Sequence, residues 1–178
     1  MTIRRNRIRR LVDELLHADQ LDRPPVPVRK IIEKHGVKIV EHANQATDIS
    51  GLLFRHVSEV VIGVNIAHNP ARQRFTLAHE FGHFLLHGVS SPDALHIDRG
   101  FVVRYRDSTS SQGTDDEERE ANLFAAELLM PRQFLQADLA EKAIDLVDNE
   151  TVEELAARYQ VSTQAMAFRL ANQGYLTL

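Results

Sequence analysis

Cysteine is absent from the 178 residues, which excludes disulfide staples, cysteine-ligated zinc ribbons and thiol nucleophiles together. Any metal must therefore be held by His, Asp or Glu. Long apolar runs are absent too: no stretch approaches the roughly 20 residues that a membrane helix needs. The N-terminus, with Arg4, Arg5, Arg7, Arg9 and Arg10, lacks the apolar segment of a secretory signal. These absences point to a cytoplasmic protein without a membrane partner. A large excess of one charge is also missing. The formal net charge of −4 gives no general attraction to nucleic acid, and the N-terminal arginines read as a local, solvated helix face. No internal repeat is visible. The 43% hydrophobic content suffices for one compact core, which argues against disorder.

Within this plain composition, Thr76-Leu77-Ala78-His79-Glu80-Phe81-Gly82-His83-Phe84-Leu85-Leu86-His87 carries His-Glu-x-x-His inside a helix-compatible apolar run. Four residues span just over one helical turn, so His79 and His83 project about 40° apart on one face and can grip one ion. Glu80 adjoins them, where a carboxylate can hold a polarised water and take its proton. With nine histidines in the chain, about 0.03 such matches arise by chance in a sequence of this composition. The apolar flanks, Phe75, Leu77, Phe81, Phe84 and Leu85, weigh further against accident, because chance matches usually fall in polar loops.

The elements around the motif follow from periodicity and punctuation. A helix is predicted from Ile3 to Leu21, closed by Asp22-Arg23-Pro24-Pro25, and a short one from Pro27 to His35-Gly36. Strands are expected at 37–40, 49–54 and 59–64, the last two forming a small antiparallel sheet ahead of the motif helix. That helix runs from Pro70 to about His87. A loop through Ser90 to Asp93 and a cleft-bordering strand at 100–106 follow, and then a polar stretch, 107–114, suited to act as a lid. A second strong helix, 115–130, ends at Pro131; further helices are predicted at 131–145, 152–159 and 163–171.

A hydrolytic zinc site keeps one position open for water and needs a third protein ligand. Glu120 is the expected third ligand, since it emerges from a helix otherwise built to pack against apolar surface; Glu117, on nearly the same face, is the runner-up, and Glu118 is less well placed. Tyr105, Arg106 and His96 are candidates for stabilising an oxyanion because they flank the expected edge strand. His87 lies a further turn along the histidine face, and its rotation and rise leave it outside the ligand set. Asn122 is a candidate to orient the histidine rings.

The stretches Arg72 to His83 and Glu120-Ala121-Asn122-Leu123-Phe124-Ala125-Ala126-Glu127-Leu128-Leu129-Met130-Pro131, with Asp48-Ile49-Ser50-Gly51-Leu52-Leu53 before them, resemble the ImmA/IrrE family of zinc metallopeptidases over roughly Pro27 to Pro131. The resemblance implies an α+β fold, mainly helical and zincin-like, with a small antiparallel sheet and a C-terminal helical segment. It implies one Zn2+ held by His79, His83 and Glu120, with Glu80 as catalytic acid and base. It also implies a protein substrate, a helix-turn-helix transcriptional repressor whose cleavage relieves repression after stress. The chain resembles the short form, without a C-terminal sensor domain.

Two units are expected, 1–146 for the peptidase and 147–178 for a helical segment packed on it. Thr151 to Leu170 has the helix, turn and Ser-capped second helix of a DNA-reading unit. Yet between Asn149 and Leu178 Glu150, Glu153 and Glu154 outnumber Arg158 and Arg169, and phosphate contacts need cations. Direct DNA binding is therefore disfavoured. The rival to an enzyme is a regulatory protein that binds a repressor or DNA without cleavage.

Overall fold

The computed structural model describes residues 3–43, 49–56, 59–87, 93–98, 112–141 and 149–176, with the side chains of 93–98, 112–115 and 141 outside the description. The expected strand at 100–106 and most of the lid stretch 107–114 lie outside the described residues. In chain order the elements are α1 (Arg5–Ala18), α2 (Val28–Lys34), β1 (Lys38–His42), β2 (Gly51–His56), β3 (Glu59–Asn65), α3 (Pro70–His87), β4 (Asp93–Asp98), α4 (Gln112–Leu129), α5 (Arg132–Glu141), α6 (Asn149–Tyr159) and α7 (Thr163–Asn172). The fold is α+β and mainly helical, as the sequence predicts.

The sheet departs from expectation in two ways. Its order is β1-β3-β2-β4, and it is mixed: β2 pairs antiparallel with β3 and with β4, whereas β1 pairs parallel with β3. The register explains the parallel pair. His42 ends opposite Asn65 and Gly51 begins opposite Val64, so β1 ends and β2 begins at the same end of β3, on its two opposite sides. Neighbour choice of this kind is set by tertiary packing. The second departure is β4, which begins at Asp93, where a loop was expected, and aligns His96 with Leu53.

Asn65 and Asn69 turn the chain from the sheet into α3. The buried Asn65 side chain donates to the Ile49 carbonyl and accepts from the Ala67 N–H, and Asn69 Oδ1 accepts from the Arg72 N–H at 2.9 Å. Asn69 thus caps α3, with Pro70 in the first helical position, where its missing N–H costs nothing. The helix lies on β2 and β3 and packs along α4. Gly82 permits the close approach: a Cβ there would stand 2.9 Å from Phe124 Cδ1 and 3.3 Å from the Ala121 backbone.

One continuous core includes Ile8, Val12 and Leu16 of α1, Phe81 of α3, Phe124 and Leu128 of α4, and Tyr159 and Leu170 of the C-terminal pair. Burying large apolar side chains contributes about 1.5–3 kcal/mol each before conformational entropy is charged. Polar ties supplement it at the C-terminal pair. Arg169 of α7, 5% exposed, donates to the Met130 carbonyl at 3.0 Å and to Glu127 at 2.5 Å, while Tyr159 donates to Asp138 at 2.9 Å. Ser162 caps α7 through the Ala165 N–H, as its sequence position predicts.

Candidate metal centre

The amphipathic logic of α3 is suspended over its middle, because every residue from Thr76 to His83 is buried. One side meets the sheet and the other meets α4, so the motif has no solvated face of its own. His79, Glu80 and His83 are 1%, 0% and 5% exposed. Their spacing aims two imidazoles at one point: the Nε2 atoms of His79 and His83 stand 3.1 Å apart, with ring centroids separated by 4.7 Å. Phe75 stacks near His79 at 6.2 Å and restricts that ring.

The carboxylate that the structure brings to the two histidines is that of Glu118. Its Oε2 lies 3.4 Å from His79 Nε2 and its Oε1 lies 3.2 Å from His83 Nε2. One ligand atom from each of these residues falls within 4.8 Å of the others. Two neutral imidazoles and a carboxylate form a donor set suited to a borderline divalent ion such as zinc. The Glu118 side chain remains 43% exposed, so this edge of the site opens to solvent while the histidine edge is sealed.

Glu120, expected as the third ligand, is turned to another task. Its carboxylate accepts from the Arg4 backbone N–H at 2.8 Å and from Arg4 Nε at 3.0 Å, and Arg4 NH2 reaches Oε2 at 2.5 Å. These hydrogen bonds, opposed by burial, hold the Glu120 carboxyl below its usual range. Glu118 and Glu120 are about 200° apart around the helix, so one faces the histidines while the other faces α1. Glu120 is the inward carboxylate of α4, and it is buried because Arg4, at the N-cap of α1, neutralises it. Arg4 is the residue that sequence reasoning missed. It lay in a run read as solvated, and no local signal marks a partner 116 positions away.

His87 is also enclosed rather than solvated: its side chain is 9% exposed and Nε2 lies 3.9 Å from Glu120. Burial lowers its pKa, against the opposing pull of the Glu117 and Glu120 charges and a hydrogen bond to the Glu117 backbone. Glu117 itself is exposed. Asn122 Oδ1 is buried without a hydrogen-bond donor among the described residues. Tyr105 and Arg106 lie outside the described residues, and of His96 only its backbone place on β4 is described.

Glu80 is set by the sheet. Gly51 of β2 lies over it so closely that a Cβ would stand 3.0 Å from Glu80 Oε1 and 2.3 Å from Thr76 Cγ2. Absence of a side chain at Gly51 thus admits a buried carboxylate between strand and helix.

A helix-borne histidine pair faced by a carboxylate, on an α+β scaffold with a mixed sheet, fits the metallopeptidase class. Residues 32–171 match the IrrE N-terminal-like domain, and the chain belongs to that peptidase family. It is 26% identical over 157 residues to the metallopeptidase ImmA of Bacillus subtilis, covering 83% of each chain. It is 32% identical over 114 residues to the radiation response metalloprotease IrrE of Deinococcus radiodurans, covering 64% of this chain and 31% of that protein. A Mycobacterium tuberculosis transcriptional regulator shares the fold with a TM-score of 0.60 at 16% identity, over 93% of this chain and 46% of that one. The chain therefore spans less than half the length of two of these three proteins. Among the described residues no helix is long and apolar enough to cross a membrane.

Proposed function

We propose that this metallopeptidase is a zinc endopeptidase in which His79, His83 and Glu118 hold the ion and Glu80 is the general base and acid. The observation that carries the reading is the convergence of His79 Nε2, His83 Nε2 and the Glu118 carboxylate. When bound, zinc would supply Lewis acidity to a water and to a scissile carbonyl. The chain's own residues do the remaining work. Glu80 takes a proton from the attacking water and returns it to the leaving amine, so its burial and its fit under Gly51 set the path of that proton. The sealed histidine edge excludes bulk water, and the open Glu118 edge admits a polypeptide.

The substrate we propose is a helix-turn-helix repressor, cut to relieve repression. It rests on family resemblance and on the metallopeptidase and metalloprotease relatives. The DNA-binding alternative is weakened by the fate of the arginines. Arg158 pairs with Asp138 at 2.8 Å, Arg169 is buried on Glu127, and Arg4 and Arg9 are spent on Glu120 and Glu127. Phosphate contacts would have to come at the cost of these pairs.

Elemental analysis of purified variants tests the ligand set. Wild type and Glu120→Ala are expected to hold about one zinc per chain and Glu118→Ala to lose it, as a site reduced from three ligands to two would. Retention by Glu118→Ala with loss from Glu120→Ala would refute the assignment. Glu80→Gln is expected to keep both zinc and fold while cleavage of a co-expressed repressor falls about 10²–10⁴-fold; undiminished cleavage would remove Glu80 from the mechanism.

A further inference from the structure

The reverse side of the motif helix borders a cleft of about 290 Å3 that the metal chemistry does not use. Arg29, Lys30 and Arg74 line it together with an apolar floor that includes Pro27, Pro70 and Leu77. Among the described residues, no Asp or Glu lines it. Arg74 and His83 are nine residues apart, which sets them about 180° apart around α3. The cleft and the metal centre thus occupy opposite sides of one helix.

The cations differ in how far their charge is already answered. Arg29 is paired with Glu41, on the adjoining strand β1. Lys30 is exposed and has no hydrogen-bond or ion-pair partner among the described residues. Arg74 is partly buried; one terminal nitrogen donates to the Val26 carbonyl at 3.0 Å, while its Nε–H is buried with no acceptor among the described residues. Burial also pulls the Arg74 pKa below its ordinary value. A desolvated guanidinium with no carboxylate beside it is costly unless an anion answers its charge. In a protein of net charge −4, a cleft with this lining is a locally cationic surface.

We propose that this cleft binds an anionic group, a phosphate or a carboxylate, carried on a small molecule with an apolar body. The charge of Lys30 and Arg74 would hold the anion, with charge-assisted hydrogen bonds from the Lys30 ammonium and the terminal nitrogens of Arg74. The proline and leucine floor would take the apolar part. Neither contact involves His79, His83 or Glu118, so the inference stands or falls apart from the zinc assignment.

Isothermal titration of the full-length protein at constant ionic strength tests it, with inorganic phosphate, butyl phosphate and butyrate as probes. Saturable binding is expected, tighter for butyl phosphate than for inorganic phosphate because only the ester reaches the apolar floor. Preference for butyl phosphate over butyrate would identify a phosphate ligand, and the reverse a carboxylate. Lys30→Glu and Arg74→Gln should each weaken binding about tenfold or more, as expected when a charge-assisted contact is lost. Arg7→Glu, with the same charge change as Lys30→Glu at an exposed position on α1, should leave it unchanged. Lys30 is exposed, so Lys30→Glu keeps the test decisive if Arg74→Gln fails to fold. Absence of saturable binding by all three probes, or equal weakening by Arg7→Glu and Lys30→Glu, would overturn the proposal.

Discussion

At Gly51 an added Cβ would meet Thr76 Cγ2 at 2.3 Å and Glu80 Oε1 at 3.0 Å, so the smallest possible change reaches the proposed general base directly. Thr76 and Glu80 are buried on α3 and cannot swing into solvent. Strand and helix must separate, or Glu80 must leave its position. Gly51→Ala is therefore expected to keep its zinc while kcat/KM falls about 100-fold, the scale of loss when a reacting group is misplaced by about 1 Å. Paired metal analysis and single-turnover cleavage would check this; wild-type turnover would show that Glu80 does not depend on the strand. Little of this was legible beforehand. The stretch around Gly51 was recognised as a strand, but its place over Glu80 depends on which strand face meets α3. The histidines and Glu80 were legible because their spacing acts within one turn of one helix. Spacing alone cannot choose between Glu118 and Glu120, because the choice requires the rotation of α4 about its own axis.

Between elements, the separation of α3 and α4 governs whether Glu118 reaches the histidines. Gly82 meets Phe124 and the Ala121 backbone at the crossing, and the ion-ligand geometry lies beside that contact. A methyl at position 82 cannot be relieved by a flexible side chain, since Ala121 presents backbone. Gly82→Ala should cost about 1–3 kcal/mol of stability, as overpacking does in a tight core. It should also weaken zinc retention about 10- to 100-fold, the range for disturbed support of ligands. Chemical denaturation and competition with a chelator would measure the two effects separately. A variant destabilised but unchanged in zinc affinity would show that Glu118 follows the histidines when α4 shifts. Arg4 adds a second constraint on the same helix, because its bidentate hold on Glu120 fixes α4 against the start of α1.

Across the whole molecule, Glu127 ties three helices, taking Arg9 of α1 at 3.1 Å and Arg169 of α7 at 2.5 Å. Burial pushes its carboxyl up, but the hydrogen bonds and charges of Arg169 and then Arg9 outweigh burial, and the net direction is below the ordinary value of 4.5. A carboxylate with a depressed folded pKa contributes stability that is fully present above its unfolded pKa and is lost as pH falls through the folded one. Denaturant midpoints should show this contribution intact from neutral pH down to the ordinary carboxylate range and declining below it. Glu127→Gln should be less stable than wild type at neutral pH, with the gap closing in acid. A gap independent of pH would assign its cost to packing rather than charge. The same tie bears on the C-terminal pair, whose helix-turn-helix outline was legible but whose Arg169 points into the core, where it cannot read DNA.

The sequence by itself determined the features that act over one or two turns: the helix periodicities, the Ser cap of the last helix, the His79-Glu80-His83 cluster and the family to which the chain belongs. Local geometry needs only local residues, and a helix translates spacing into direction without outside help. Tertiary structure decided the parallel placement of β1, the turning of Glu120 to Arg4 and of Glu118 to the histidines, the burial of Arg169, and the separate cationic cleft behind α3. Each depends on which distant segment supplies a countercharge or fills a face, and the free energy of such a contact belongs to the pair, so neither partner's surrounding sequence records it.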